Sequence, residues 1–532
     1  MKFKSHYIPY HKTGAFSKIV VDYLNGESSL KEFYENDPDL AGIKKAIKER
    51  KKHKYNRNLL VRELHKQYAD FKTNDKVKEN INLLLDETTF TICTAHQPNI
   101  FTGHLYFIYK ILHAIKLADK LNSKIKGCHF VPVYYMGSED ADLQELGEVT
   151  INGKKYEWKT EQKGAVGRMK VDKLFIDLMN EIEGQLSVEE YGPEIISLVK
   201  SCYTLGKTIE LATFELVNNL FEDKGLIVFL PDNAALKNES YAINKRELTE
   251  QFSQKAVAET ITSFPEKYKV QAAGRNINLF YLKDDTRERI ETYKTGFAVA
   301  NTTTIFTNEE IDTELKEHPE RFSANVILRP VFQEMILPNI AFIGGGGELA
   351  YWLELKKVFH EVHVPFPVLI LRNSFMIVNK KLAANIIKLQ FKLADLFKPT
   401  NELIEELVKR ETKVTLQLNE EKATLQSLYD KIRSSATAVD TTLNNHVEAL
   451  ANQALKRIGL LEKKMFKAEK KKFDAAQRQI IKIKTALFPA GTLQERIDNF
   501  MPFYALYGKG FIEMLYEHST AIEQQFCILE EK

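Results

Sequence analysis

The sequence predicts an α/β protein in which a parallel-sheet core with insertions is followed by a C-terminal α-helical antiparallel coiled coil. Three observations predict it. The β-branched and aromatic run "TTFTIC" (Thr88–Cys93) leads into the amphipathic "LYFIYKILHAIKLADKL" (Leu105–Leu121) and then into the continuously apolar "CHFVPVYY" (Cys128–Tyr135). Strand, helix, strand is the βαβ unit, whose crossover makes the two strands parallel and places their C-terminal ends on one edge. The succession returns in "NIAFIGGGGELAYWLELKKVF" (Asn339–Phe359) and "FPVLILRNSFMIV" (Phe366–Val378). Beyond about residue 380 glycine and proline nearly vanish until Pro489, and Leu425, Leu428, Ile432, Leu443, Val447, Leu450, Ala454 and Leu461 recur at three-and-four spacing, the pattern of a coiled coil.

In chain order, residues 1–150 hold N-terminal helices and the first part of the core. "KKAIKERKKHKYNR" (Lys44–Arg57) reads as a solvated basic helix. In "GEVTINGKKYEWK" (Gly147–Lys159), Asn152-Gly153 between alternating strands predicts a type I′ hairpin that opens an insertion. Residues 151–320 are connecting insertions interleaved with core strands, "GLIVFLP" (Gly225–Pro231) and "NINLFYL" (Asn276–Leu282) being read as continuing the sheet. Residues 321–380 form the second part of the core, starting from the strand-like "ANVILRP" (Ala324–Pro330). Residues 381–488 form the coiled-coil arm, with a bend expected in "IRSSATAVDTT" (Ile432–Thr442) where the apolar register weakens. Residues 489–532 are a helical segment returning to the core.

A chain of 532 residues is long enough for two to four units. With 28% charged residues and a formal net charge of +3, global charge gives no argument for a nucleic-acid partner. No run approaches the roughly eighteen apolar residues of a membrane span, and the N-terminus lacks a signal-like apolar stretch, so a cytoplasmic protein without a membrane partner is expected. Cys93, Cys128, Cys202 and Cys527 are widely spaced without a CxxC, the pattern of reduced thiols. "LGKT" (Leu205–Thr208) lacks the first glycine of a phosphate loop, since position 201 is Ser. "HEVH" (His360–His363) is one residue short of the zinc-protease spacing, and no metal site is assigned.

Chemistry-bearing residues cluster where the strands end. The first connection, "TAHQPNIFTGHLYFIYK" (Thr94–Lys110), offers His96, Gln97, Asn99, Thr102, His104 and Lys110. Two histidines with amides at a helix N-terminus can bind a phosphate and assist charge development on it, an arrangement that resembles the HxGH signature of class I nucleotidyl transferases and aminoacyl-tRNA synthetases. "MGSEDADLQELGE" (Met136–Glu148) follows an apolar strand and packs Ser138, Glu139, Asp140, Asp142 and Glu145 together. Such close like charges cap a helix, meet a cation or do chemistry. "RPVFQEMILPNIAFIGGGGELAYW" (Arg329–Trp352) adds Arg329 at a strand end, Gln333 and Glu334, the glycines Gly345 and Gly346 of the run Gly344–Gly347, and Glu348, Tyr351 and Trp352. Arg329 can fork onto a carboxylate or phosphate, and the glycines permit close backbone approach.

These three blocks, with "LFPAGTLQERIDNFMPFYALYG" (Leu487–Gly508), resemble the bacillithiol biosynthesis cysteine-adding enzyme family over nearly the whole chain. The resemblance implies a Rossmann-like core related to class I nucleotidyl transferases and a coiled coil that makes a homodimer. It implies a reaction joining L-cysteine to glucosaminyl-malate to form bacillithiol. ATP or ADP is the implied nucleotide, with magnesium as the metal that could accompany it. A nucleotide pocket near the end of the coiled coil makes Gly491, Gln494, Glu495 and Arg496 candidates. Gln97, Thr102, Gly103, Tyr106 and Lys110 match the family's first motif. The family reads Gly-Gln-Gln where this chain has Ala95, His96 and Gln97, and Thr-Gly-Pro where it has Thr102, Gly103 and His104, so both histidines rest on the chemistry of the loop. Its acidic-motif histidine is Ala141 here. Asp140 or Asp142 would hold the cysteine ammonium or accept the amine proton. The competing expectations are another class I nucleotidyl transferase or amide ligase with a different amine acceptor, and a non-catalytic nucleotide-binding coiled-coil scaffold.

Overall fold

In the computed structural model, which describes residues 2–272 and 274–532, the chain divides into two units, Met1–Ile377 with Pro489–Lys532, and Val378–Phe488. The first unit is built on five strands, β1 (Thr89–His96), β2 (His129–Met136), β3 (Ile227–Phe229), β4 (Asn339–Gly344) and β5 (Val368–Leu371), in the order β5-β4-β1-β2-β3. All four pairings are parallel, with Phe90 opposite Phe130 and Ile343 opposite Thr94. This is the Rossmann-like core that both βαβ patterns predict. β1 and β2 are buried along nearly their whole length because helices cover both faces. Helix α1 (Tyr106–Lys124) packs Ala114, Leu117 and Leu121 on Phe90, Ile92, Ile340 and Ile343 of the sheet.

From β1 the chain proceeds to β2 and β3 on one side, and it returns later to β4 and β5 on the other. The order therefore reverses between β1 and β4. In open α/β sheets that reversal opens a crevice at the strands' C-terminal ends.

The insertion departs from the sequence expectation in two places. "GLIVFLP" supplies β3, but "NINLFYL" supplies Leu279–Lys283 of a separate five-stranded antiparallel sheet with Thr286–Tyr293, Gly296–Val299, Ile305–Phe306 and Phe322–Ala324. Two-residue turns follow Lys283 and Tyr293, so consecutive strands close as hairpins, which parallel strands cannot do. "ANVILRP" is not a strand beyond Ala324. The Asn325 side chain accepts from the Ile327 and Leu328 amides (2.8 and 3.4 Å) and starts helix α2 (Leu328–Ile336), so Arg329 stands in a first helical turn. The Asn152-Gly153 hairpin forms as read, with both residues at positive φ (49° and 78°).

The segment after Pro489 is more than helical. Helices Met501–Tyr507 and Lys509–His518 precede a final strand, Phe526–Glu531, that pairs antiparallel with Phe3–Ile8. His113, fully buried in α1, meets this segment: its Nε2 donates to Ala521 O (2.8 Å), while Nδ1 accepts from the Asn373 amide (3.1 Å). Those partners require a neutral ring. Burial outweighs the Ala521 carbonyl and Glu523 and pulls the His113 pKa from 6.5 down to about 4. The unfolded chain then takes up a proton that the folded chain refuses. The residue's contribution is complete above about pH 6.5 and falls by ~3 kcal/mol as the pH drops toward 4. Urea unfolding at about pH 7.5 and about pH 5 is expected to show a smaller acid-induced loss for His113→Gln than for the wild type.

The second unit comprises helices Lys380–Lys388, Thr400–Glu411, Asn419–Val439, Leu443–Lys470 and Asp474–Leu487. Its two longest helices form the antiparallel hairpin predicted, turning at Asp440–Thr442, where the Asp440 carboxylate accepts from the Thr442 amide and hydroxyl (both 2.8 Å). Leu428, Ile432, Leu450 and Leu461 are exposed on it. Among the described residues no helix is long and apolar enough to cross a membrane, and all four cysteines are free.

Candidate active site

A pocket of about 400 Å3 opens at the reversal point, lined by residues that follow β1, β2, β4 and β5. It holds five cationic side chains, Lys110, Arg287, Arg329, Arg372 and Arg496, against three carboxylates, Glu139, Asp140 and Glu348. Most of these charges are already matched. Lys110, buried in α1, pairs with Glu348 and donates to Ala95 O (2.9 Å), and Glu348 also accepts from the Gly345 amide (2.7 Å). Burial pulls the Lys110 pKa down against the opposing pull of Glu348. Arg372, at the end of β5, donates to Glu495 (2.7 Å) and lies over the Tyr106 ring at 5.0 Å. Glu139 accepts from Lys237 (2.5 Å), which Asp232 and Arg168 extend into a buried ion network.

Four charges remain. Among the described residues neither Arg287, Arg329 nor Arg496 has a carboxylate within 4.0 Å, and Asp140 has no cation within that distance. Arg287 rises from the antiparallel sheet, packed on the Phe280 ring at 4.0 Å. Arg329 donates to Gln333 Oε1 (3.1 Å) and to the Tyr351 hydroxyl (3.2 Å), both uncharged. Arg496 comes from the segment after Pro489 and is exposed. Asp140 accepts from Gln97 Nε2 (3.1 Å), which ties the loop after β1 to the loop after β2.

His96 ends β1 and lines the pocket. Its Nε2 is buried with no hydrogen-bond partner among the described residues, and burial, reinforced by Lys110, His104 and Arg372, holds its pKa well below the ordinary value. A neutral imidazole with one unused nitrogen can supply one directed hydrogen bond to a ligand.

The remaining loop residues serve its shape. Phe101, Thr102 and Gly103 occupy left-handed backbone in succession (φ 51°, 67° and 65°), a strained path for the first two. Asn499 holds it by donating to the carbonyls of Phe101 and Gly103. A Cβ at position 103 would sit 2.9 Å from Asn99 Cβ, so glycine is required there. Asn99 and Thr102 are buried within this turn and do not line the pocket. His104 faces away, its Nδ1 donating to Ile497 O (3.1 Å).

Other predicted residues take structural roles. Asp142 N-caps the short helix Leu143–Leu146, accepting from the Glu145 amide (3.1 Å), and Glu145 is exposed outside the pocket. Ser138 is buried beneath Gly167, whose amide donates to its carbonyl (3.0 Å). Gln333 and Glu334 are wholly buried behind Arg329, and Trp352 stacks on Phe342 in the core at 4.3 Å. Gln494 accepts from the Ile377 amide (3.0 Å), Glu495 braces Arg372, and Gly491 bends the chain after Pro489 at φ 76°. Of those four nucleotide candidates only Arg496 lines the pocket. His360 pairs with Glu35 (2.5 Å) rather than with His363.

Gly345, Gly346, Glu348 and Tyr351 line the pocket as expected from their block. Arg287, Arg372, Asn325 and Asn499 are additions that sequence reasoning missed. Arg372, directly after β5 in "LILRNS", carried the same signal as Asp140, a charged residue at a parallel strand's end; the other three carried no local signal.

Two family models cover this chain. Residues 3–373 match "Bacillithiol biosynthesis BshC, N-terminal Rossmann-like domain", and residues 375–531 match "Bacillithiol biosynthesis BshC, C-terminal coiled-coil domain". A protein of Flavobacterium johnsoniae named "Putative cysteine ligase BshC" is 38% identical over 526 residues, 98% of this chain and 99% of that protein. Proteins of the same name from Flavobacterium psychrophilum (38% over 527 residues, 98% and 99% covered) and Christiangramia forsetii (37% over 530 residues, 98% of each) are similar throughout.

Proposed function

This chain belongs to the BshC family of bacillithiol biosynthesis proteins, and from that premise we propose that it is a cysteine ligase, joining the carboxyl of L-cysteine to the amine of glucosaminyl-malate with ATP activating the carboxyl. The observation that carries the reading is the pocket at the sheet's reversal point, where among the described residues Arg287, Arg329 and Arg496 have no carboxylate within 4.0 Å and Asp140 has no cation within that distance. Arginines with no carboxylate within 4.0 Å suit substrates bearing carboxylates and phosphates. A single free carboxylate among them suits an amine.

The chemistry divides among these groups. Cysteine's carboxylate is a poor electrophile until an oxygen is carried off on phosphorus, as an adenylate or an acyl phosphate. The neutral sugar amine then attacks the carbonyl carbon; the C–N bond forms, the C–O bond to phosphate breaks, and AMP or phosphate leaves with the electron pair. Asp140 takes the proton shed by the nitrogen, and Gln97 holds its carboxylate in place. His96 Nε2 directs a hydrogen bond to the activated group. Because Glu348 already matches Lys110 and Glu495 matches Arg372, the offset for phosphate and carboxylate charge falls to Arg329, Arg287 and Arg496. The glycines Gly345–Gly347 let a ligand approach the backbone, and a Cβ on Gly347 would meet nothing within 4 Å. The same reading makes the long helical hairpin a homodimer interface, which its exposed Leu428, Ile432, Leu450 and Leu461 support.

Purified protein given ATP, L-cysteine and glucosaminyl-malate, each omitted in turn, tests it. Release of pyrophosphate or ADP together with the thiol-bearing amide, requiring all three, is the expected result. No amide with all three present would overturn the reading, and so would normal bacillithiol in a strain lacking the gene.

A further inference from the structure

Arg329 is held by neutral acceptors alone, and the reason lies behind it. Gln333 sits four residues on in α2, fully buried, so it faces the same side of the helix. Its Nε2 donates to Glu334 Oε1 (2.9 Å), which leaves only Oε1 to receive the Arg329 Nη1 donor. Glu334 cannot turn away. Arg50 Nη2 donates to its Oε2 (2.7 Å) and Asn339 Nδ2 to its Oε1 (2.8 Å), with every one of these side chains at 2% exposure or less.

We propose that Gln333 is a positioning residue that sets specificity: the buried Arg50–Glu334 pair locks its amide so that Arg329 is oriented without being neutralised, and the retained charge binds a carboxylate of a dicarboxylate-bearing amine acceptor. A glutamate at 333 would grip Arg329 more strongly but cancel the charge that the ligand needs. The chain instead places its acid one residue further on, facing Arg50. Gln333 itself does not line the pocket, so it acts only through Arg329.

The inference rests on the ligase reading for the identity of the acceptor, but binding does not require the chemistry. Titration of malate alone into the full-length protein therefore tests it, with the wild type, Gln333→Glu, Gln333→Met and Arg329→Gln compared after their folding is verified by circular dichroism. Gln333→Glu is expected to weaken malate binding roughly tenfold or more, Gln333→Met by a smaller factor, and Arg329→Gln to abolish it. Glutamate also removes the donor to Glu334 Oε1 and sets two carboxylates side by side, so urea unfolding of each variant accompanies the titration: a merely structural role predicts that lost binding tracks lost stability in both variants alike. That outcome, methionine worse than glutamate, or malate binding unchanged in Arg329→Gln overturns the inference; the last comparison decides if the glutamate variant does not fold. A wild type that makes the amide but does not bind malate overturns this inference alone. A wild type that binds malate through Arg329 but makes no amide overturns the ligase reading alone.

Discussion

Asp140→Asn is expected to slow amide formation by about a hundred- to ten-thousand-fold while leaving the fold intact. The amine nitrogen must lose a proton as the C–N bond forms, and among the described residues Asp140 is the pocket carboxylate with no cation within 4.0 Å, Arg287 acting on it only from farther away. Glu139 is matched by Lys237 and Glu348 by Lys110, so neither is poised to accept it. Asparagine preserves the shape and can still meet Gln97, which confines the change to the proton acceptor. Asp142→Asn supplies the contrast. Asp142 caps the helix Leu143–Leu146, and asparagine caps about as well as aspartate, so its rate should stay near that of the wild type. Single-turnover product formation measures both. A folded Asp140→Asn protein that made the amide at the wild-type rate would remove Asp140 from the role of base.

Glu495→Ala is expected to cost ~3–5 kcal/mol of stability, because it leaves a buried guanidinium without its counter-ion. Arg372 and Glu495 have side-chain exposures of 4% and 0%. The carboxylate also accepts from the Ser374 hydroxyl (3.2 Å) and the Phe375 amide (3.3 Å), so its loss strips three donors at once. Replacing both partners by methionine should recover much of the stability, since two apolar side chains of similar volume remove the unpaired charge along with its partner. The double variant should remain impaired in activity, because Arg372 lines the pocket over Tyr106. Urea unfolding of the two variants, compared with the wild type, gives both numbers. A Glu495→Ala protein as stable as the wild type would mean that Arg372 finds water or another acceptor.

What was legible in the sequence follows from local periodicity. β1, α1 and β2 were readable because β1 is rich in β-branched and aromatic residues, β2 is a continuous apolar run, and a helix packed on them repeats its apolar positions every three or four residues. The bend near Asp440 was readable because the coiled-coil register fades there. "NINLFYL" misled because the alternation of a strand does not say which sheet it joins. "ANVILRP" misled because Asn325 and Pro330 are helix-start residues embedded in a β-branched run.

The candidate site divides in the same way. The sequence by itself determined that the loops after β1, β2 and β4 meet at one place, since the ends of parallel strands converge on one edge, and the pocket lies there. It also identified Asp140, Gln97, Lys110, Arg329 and Glu348 by type and position. Only the tertiary structure decided which charges are free. Lys110 and Glu348 neutralise each other across 238 positions of sequence, Glu495 comes back from the segment after Pro489 to hold Arg372, and Arg287 reaches the pocket from a different sheet. A side chain's type is written in the sequence, but whether its charge is available to a substrate depends on what lies within about 4 Å of it, and that distance is set by the packing of elements far apart along the chain.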